Sequence, residues 1–367
     1  MNIANRKLDH IIIALSKKIE TSDTLLKNIQ LIHQALPELS FDSINTTVEF
    51  LGKKLSAPLM FTGITGGHVY AGDINRVLAK VAEENKIAIE VGSQRAALVD
   101  PSVSWTYRVV REEAISVPVI ANLGAQQLGD KPVEIAEKAI KMIDADAIAI
   151  HLNVAQELFQ LEGDRDFRNI LKNIEILRNE LSVPIIVKEI GYGISKEVAS
   201  ALVKAGVKYI DVAGAGGTSW IKVEILRRKL RGEKVDLPGI YEFYNWGIPT
   251  ALSIIETRSV SSEIKIIASG GIRNGVEVAK SIAIGADIAG FALPALKEAA
   301  RSKECLDRYV RNIIMELKIA MLLTSAKDVE ELKNVPIVFD EKITNWLSQR
   351  GIDPIKFLEN RKIKKFS

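Results

Sequence analysis

The sequence predicts an α/β fold: a (β/α)8 TIM barrel with N-terminal and C-terminal extensions and an insertion after strand 6. Three observations lead there. From residue 58 onward, short runs rich in Ile, Val and Ala alternate with longer amphipathic segments, the pattern of repeated βα units. There are eight such runs. They are almost continuously apolar rather than alternating, which means burial on both faces, as in a strand closed into a barrel and sheathed by helices.

In order, the runs are Pro58 to Thr65, Ile87 to Gln94, Pro118 to Gly124, Ala147 to Asn153, Pro184 to Ile190, Tyr209 to Gly214, Ile264 to Gly270 and Ile288 to Leu293. Successive runs start 24 to 37 residues apart, one strand plus one helix, except for about 55 between the sixth and seventh. That gap holds an insert: a helix-like run from Trp220 to Gly232, then LPGIYEFYNWGIPTALSII, whose aromatics and prolines suggest a packed excursion near one face of the barrel. A single domain of residues 1–367 is expected, with 1–57 as an N-terminal extension, 58–327 as the barrel and 328–367 as a C-terminal extension, both extensions helical or irregular.

Composition narrows the function classes. The net charge is +3, with 49 basic and 46 acidic residues spread along the chain, so no basic stripe marks a nucleic-acid partner. The apolar patch Ile11 to Leu15 is too short for a signal-peptide core, and no run approaches the ~18 residues of a membrane span. Cys305 stands alone, which excludes an intrachain disulfide and a Cys-rich zinc site and points to a reducing cytoplasm. His10, His33, His68 and His151 form no H-E-x-x-H pair. Arg361, Lys362, Lys364 and Lys365 read as a solvated tail. The expected assembly is a homo-oligomer, a tetramer or octamer.

In a barrel of this kind the active site lies at the C-terminal ends of the strands. Here nearly every run ends in glycine or polar residues: Thr62-Gly63-Ile64-Thr65-Gly66-Gly67, Gly92-Ser93-Gln94-Arg95, Asn122-Leu123-Gly124, His151-Leu152-Asn153, Lys188-Glu189, Gly214-Ala215-Gly216-Gly217-Thr218 and Ser269-Gly270-Gly271-Ile272-Arg273. Any one ending is more often a turn or a helix cap. Together, however, Arg95, His151, Lys188 and Arg273 converge on one mouth, which is costly without an anionic ligand. The seventh ending exposes backbone N–H groups at the start of a helix, a phosphate-binding arrangement. Lys188, on a strand of Pro, Ile and Val, either pairs with a carboxylate in the core or lies beside an electron-rich flavin ring.

The fourth ending, HLNVAQE, differs in kind. His151 and Asn153 share a strand face, while Gln156 and Glu157 begin the following loop. Glu157 suits a magnesium ion that takes few protein ligands and completes its shell with diphosphate oxygens and water; a first-turn glutamate complementing a helix dipole is the competing account.

Taken in order, these endings resemble the motif set of type II (FMN-dependent) isopentenyl diphosphate isomerase, from Asn5-Arg6-Lys7 through Ala292-Leu293-Pro294. The resemblance implies an FMN-binding barrel that moves the double bond of isopentenyl diphosphate to give dimethylallyl diphosphate, with magnesium and with flavin reduced by NADPH. It implies that Thr62, Gly63, Ile64, Thr65, Ser93, Asn122, Lys188 and Thr218 contact the flavin, and that Gly271, Ile272, Arg273, Ala292 and Leu293 hold its phosphate end. Arg6, Lys7, Ser93 and Arg95 would meet the diphosphate, Gln156 the hydrocarbon end and Glu157 the magnesium. His151 and Asn153 would line the pocket, and Trp220 and Glu224 would lie near the substrate, Glu224 as a candidate second acid or metal partner. Two departures from the family pattern are Ile64 for the usual Met and Ala213 for a hydroxyl residue, the latter removing one expected flavin hydrogen bond.

The reaction so implied adds a proton at C4 and removes one from C2. The pocket offers few conventional acids, so reduced flavin is expected to act as acid and base with Gln156 orienting or relaying. Arg6 and Lys7 lie outside the barrel and are expected on a segment that folds over the mouth once diphosphate binds. Two other readings share the motifs: an FMN-dependent oxidoreductase of the 2-hydroxy-acid oxidase type, and a non-catalytic sensor of a phosphate ligand.

Overall fold

The computed structural model describes residues 3–359, so the basic cluster at Arg361, Lys362, Lys364 and Lys365 lies outside the described residues. Eight strands close into a barrel: β1 (Leu59–Phe61), β2 (Ala88–Glu90), β3 (Val119–Gly124), β4 (Ala147–His151), β5 (Ile185–Lys188), β6 (Tyr209–Asp211), β7 (Lys265–Ala268) and β8 (Ile288–Phe291). All neighbours are parallel, and β8 closes on β1 with Phe291 beside Phe61. Every predicted run contains its strand. The strands are shorter than the runs because the glycine-rich and polar endings leave the sheet to build the mouth.

Register sets the height of those endings. Gly124 lies beside His151, His151 beside Lys188, and Lys188 beside Asp211, so chemistry-bearing residues of four strands form one row. Below that row the barrel is filled by Met60, Ala88, Ile120, Ala147, Ala149, Ile186, Ile267 and Ile288. Phe50 and Leu55, from an antiparallel hairpin of Val48–Phe50 and Lys53–Leu55, join this layer and plug the N-terminal end. Fully burying such a side chain is worth about 1.5–3 kcal/mol, so the hairpin is part of the core.

The extensions are more ordered than the sequence suggested. Ile29–Leu31 pairs antiparallel with Ile337–Phe339, joining the two extensions through a two-stranded sheet. Short strands with one buried side each are hard to distinguish from loops in sequence. Glu256, fully buried on the helix Thr250–Arg258, accepts from Trp346 Nε1 at 2.8 Å and Arg350 Nε at 3.0 Å, so the C-terminal helix Glu341–Gln349 is tied to the insert. Among the described residues no helix is long and apolar enough to cross a membrane.

The helix Ile3–Ser16 packs against Trp220–Leu230, the first helix of the insert, beside the mouth. Asp9 meets Arg231 Nη2 at 2.7 Å and Arg227 Nε at 3.7 Å, and Ile13 packs with Val223 and Leu293. The covering segment expected from Arg6 and Lys7 is therefore a docked helix, latched by charge and apolar contact.

Candidate active site

The C-terminal end of the barrel opens into a cavity of ≈ 1440 Å³ counted out to solvent. Its walls include Arg6, Lys7, Thr62, Gly63, Ile64, Thr65, Ser93, Asn122, His151, Asn153, Gln156, Glu157, Lys188, Thr218, Gly271, Arg273, Ala292 and Leu293. Residues widely separated in sequence are thus brought to one place. Three of the expected residues stand apart from the walls: Ile272 is buried, Glu224 is buried behind Gln156, and Arg95 pairs with Asp164 at 3.8 Å.

Positive charge collects at the rim. Lys7 forms no ion pair among the described residues; its amino group is pushed down to about 7 by burial, and Arg6 and Arg95 add repulsion. The Arg6 guanidinium is also pushed down by burial and by Arg95, with Glu162 at 3.9 Å and the more distant Glu224 compensating in part. Lys7, without a counter-ion among the described residues and beside Arg6 on the cavity wall, with the Asp164-paired Arg95 behind them, makes this part of the rim a candidate anion site.

The HLNVAQE segment turns from β4 into the helix Val154–Phe159, so Gln156 and Glu157 lie in the first helical turn rather than in a loop. Glu157 accepts from Asn153 Nδ2 at 2.8 Å and from the Asp164 amide at 2.9 Å. Gln156 Nε2 donates to Glu224 Oε1 at 3.0 Å, which leaves the amide oxygen without a protein partner among the described residues. His10 Nε2 meets the same Glu224 oxygen at 2.9 Å, and Arg227 donates to the other at 2.6 Å.

These contacts correct the expectation that Glu224 serves as a second acid. Burial alone would raise its carboxyl, but His10, Arg227 and Gln156 together hold it near 2, so at neutral pH it has no proton to give. His151 is likewise a weak base. Burial, then Lys188 and Lys7, lower its imidazole to about 3, and Nδ1 lies 2.8 Å from Asn122 Oδ1. The Asn122 amide nitrogen donates to Glu90, so its oxygen accepts from His151 Nδ1–H and the Nε2 lone pair remains.

Lys188 resolves in favour of a core pair, with two carboxylates: Asp211 at 3.4 Å and Glu90 at 3.9 Å. It also lines the cavity, so the pairing does not remove it from the site. At the seventh ending the Gly271 and Ile272 amides donate to no acceptor among the described residues, as a phosphate cradle requires. Gly271 has φ +84°, and a Cβ there would lie 2.6 Å from the Gly216 carbonyl oxygen. The Arg273 guanidinium is paired with Glu20, so its charge is partly compensated.

Sequence reasoning missed Glu90, Asp211 and the role of His10. Glu90 and Asp211 are the lone acidic residues in the apolar strands β2 and β6, a signal that was present. His10 gave none, because its value depends on the N-terminal helix docking beside Trp220, whose ring it meets edge-on at 5.2 Å.

Residues 153–338 match the family described as FMN-dependent dehydrogenase. The chain is 48% identical over 355 residues to an isopentenyl-diphosphate delta-isomerase of Sulfurisphaera tokodaii, covering 96% of each chain. It is 47% identical to the enzyme of that name from Metallosphaera sedula, covering 96% of this chain and 97% of the relative. The chain belongs to the FMN-dependent isopentenyl-diphosphate delta-isomerases.

Among solved structures, this isomerase-family chain is similar to a lactate oxidase from Pediococcus acidilactici, described as putative, with TM-score 0.66, 18% identity and 91% of both chains covered. A mandelate oxidase with (S)-2-phenylpropionate gives TM-score 0.64 at 16% identity, covering 92% of this chain and 98% of that one. At such identity the likeness shows a shared barrel.

Proposed function

We propose that the protein interconverts isopentenyl diphosphate and dimethylallyl diphosphate at this mouth, with FMN in its reduced form, magnesium on the diphosphate and NADPH as the source of electrons. The observation that carries the reading is one cavity that joins the cations Arg6 and Lys7 to an apolar wall of Ile11, Ala14, Trp220 and Val223, with Gln156 in its lining, its amide held by Glu224.

The residues suit the cofactor. The free amide of Gly271 on the cavity wall, with that of the buried Ile272 directly behind it, would take the FMN phosphate together with the loop at Ala292 and Leu293, while Thr62, Gly63, Ile64, Thr65, Ser93, Asn122, Lys188 and Thr218 would meet the rest. Glu157 would be the protein's carboxylate on magnesium, the diphosphate and water completing the shell. When bound, reduced FMN supplies the groups that exchange protons with the substrate, one added at C4 and one removed from C2.

The chain's own contribution is binding, orientation and exclusion of water. Arg6, Lys7, Ser93 and Arg95 hold the diphosphate, and substrate charge in turn favours the protonated form of Lys7. Ile11, Ala14, Trp220 and Val223 line the apolar side, where developing positive charge on a tertiary carbon must be kept from water. Gln156, fixed through its nitrogen, turns its oxygen to that carbon skeleton.

The oxidase reading needs a histidine base, and the histidine at a strand end, His151, is held near 3. Proton NMR of isopentenyl diphosphate incubated with protein, FMN, Mg2+ and NADPH tests the proposal. Growth of dimethylallyl diphosphate signals is expected; turnover of a 2-hydroxy acid with no such signals would favour the oxidase.

A further inference from the structure

Beneath the loops of the mouth, beside Lys188, lie two carboxylates that the proposed chemistry leaves unused. Glu90 ends β2 and Asp211 ends β6, both buried, and Lys188 ends β5 between them, 3.9 Å from the first and 3.4 Å from the second. Both oxygens of Glu90 are taken by the mouth. Oε2 accepts from the Gly63 amide at 3.0 Å, and Oε1 from Asn122 Nδ2, whose partner oxygen holds His151. Gly63 can come this close because it lacks a side chain: a Cβ would lie 2.6 Å from Asn122 Nδ2. Asp211 Oδ1 accepts from Ser269 Oγ at 2.6 Å and from the Ala213 amide at 3.1 Å.

Two carboxylates against one ammonium leave an excess negative charge when both are ionised. The groups that meet Glu90 are all donors, which favours its ionised form, although burial pushes the carboxyl up to about 7 against the pull of Lys188. Charge near a flavin ring shifts its electronic balance, and low-dielectric surroundings strengthen the effect.

We propose that Glu90 and Asp211 are positioning residues that set the flavin's reduction potential, by offsetting the charge of Lys188, which lines the cavity that would take the flavin, and so disfavouring the electron-rich reduced form. The proposal rests on the FMN reading above. It adds that the site's reducing tendency is tuned by carboxylates placed beneath the residues expected to touch the flavin.

The test is a spectroelectrochemical titration of FMN-loaded wild-type, Glu90→Gln and Asp211→Asn proteins at pH 8.5, without substrate. Gln is isosteric with Glu and keeps one oxygen to accept from Asn122 Nδ2 or from the Gly63 amide, so the hydrogen bond between Asn122 and His151 need not be broken. Each variant is expected to bind reduced FMN at least tenfold more tightly relative to oxidised FMN than the wild type does. That corresponds to a rise in midpoint potential of about 30 mV for a two-electron couple. The exposed control Glu175→Gln is expected to match the wild type. Unchanged potentials in flavin-loaded variants overturn the proposal, as does failure of both variants to take up flavin, which would make the carboxylates purely structural. A wild-type protein that takes up no FMN would sink the flavin reading instead, and shows itself before any variant is made.

Discussion

Gln156 Nε2 donates to Glu224 Oε1 at 3.0 Å, and this contact, between residues 68 positions apart, fixes which atom of the amide faces the cavity. A free glutamine could present either its nitrogen or its oxygen. Glu224, already holding His10 and Arg227, can only accept, so the amide nitrogen must be the atom that meets it, and the oxygen is without a protein partner among the described residues.

Gln156→Ala should therefore lower kcat by about 10²-fold or more while raising KM little, because the diphosphate contacts lie elsewhere. Glu224→Gln should show part of the same loss, since it lets the Gln156 amide rotate. Steady-state kinetics with proton-exchange measurement on the substrate checks both. A kcat for Gln156→Ala within threefold of wild type would remove Gln156 from the chemistry.

Lys7 gives a pH signature. Its amino group lies near 7 in the free protein, and a bound diphosphate raises it. Above pH 7 the free protein has lost the proton that the complex needs, so binding should take up a proton and affinity should fall as pH rises from 7 to 9. Below pH 7 this dependence should vanish. Calorimetry of substrate binding in buffers of different ionisation enthalpy reads the uptake directly, and Lys7→Arg should abolish it.

Gly271→Ala combines a strained φ with a Cβ driven into the Gly216 carbonyl. FMN affinity should drop at least tenfold, read by quenching of flavin fluorescence, with the melting temperature of the flavin-free protein lowered only modestly.

At the opposite end of the barrel, Phe50→Ala should remove part of the plug, costing about 3–5 kcal/mol in denaturant unfolding. FMN affinity should hardly change, because Phe50 packs below Met60 and Ile120 rather than at the mouth. A parallel loss of flavin binding would show that the two ends are coupled.

The barrel was legible because its signal is repetitive: eight apolar runs, each buried on both faces, each followed by a helix. The mouth was legible for a related reason, since strand ends must carry the chemistry and Lys188 or Asn153 are conspicuous among Ile, Val and Ala. Depth was not legible. That Glu224 is ionised, that His151 is a poor base and that Gln156 is oriented depend largely on neighbours tens to hundreds of positions away: His10 for Glu224, Lys188 and Lys7 for His151, and Glu224 for Gln156. The sheet joining Ile29–Leu31 to Ile337–Phe339 escaped notice similarly: its three-residue strands acquire meaning only when paired.

The central claim is that this mouth performs isomerisation with reduced flavin and no net electron transfer to substrate. The most direct measurement is the ratio of dimethylallyl diphosphate formed to NADPH oxidised under strict anaerobiosis. Once the flavin has been reduced, product should accumulate for many turnovers with no further NADPH consumed. One NADPH consumed per product, or a requirement for an added electron acceptor, would contradict it.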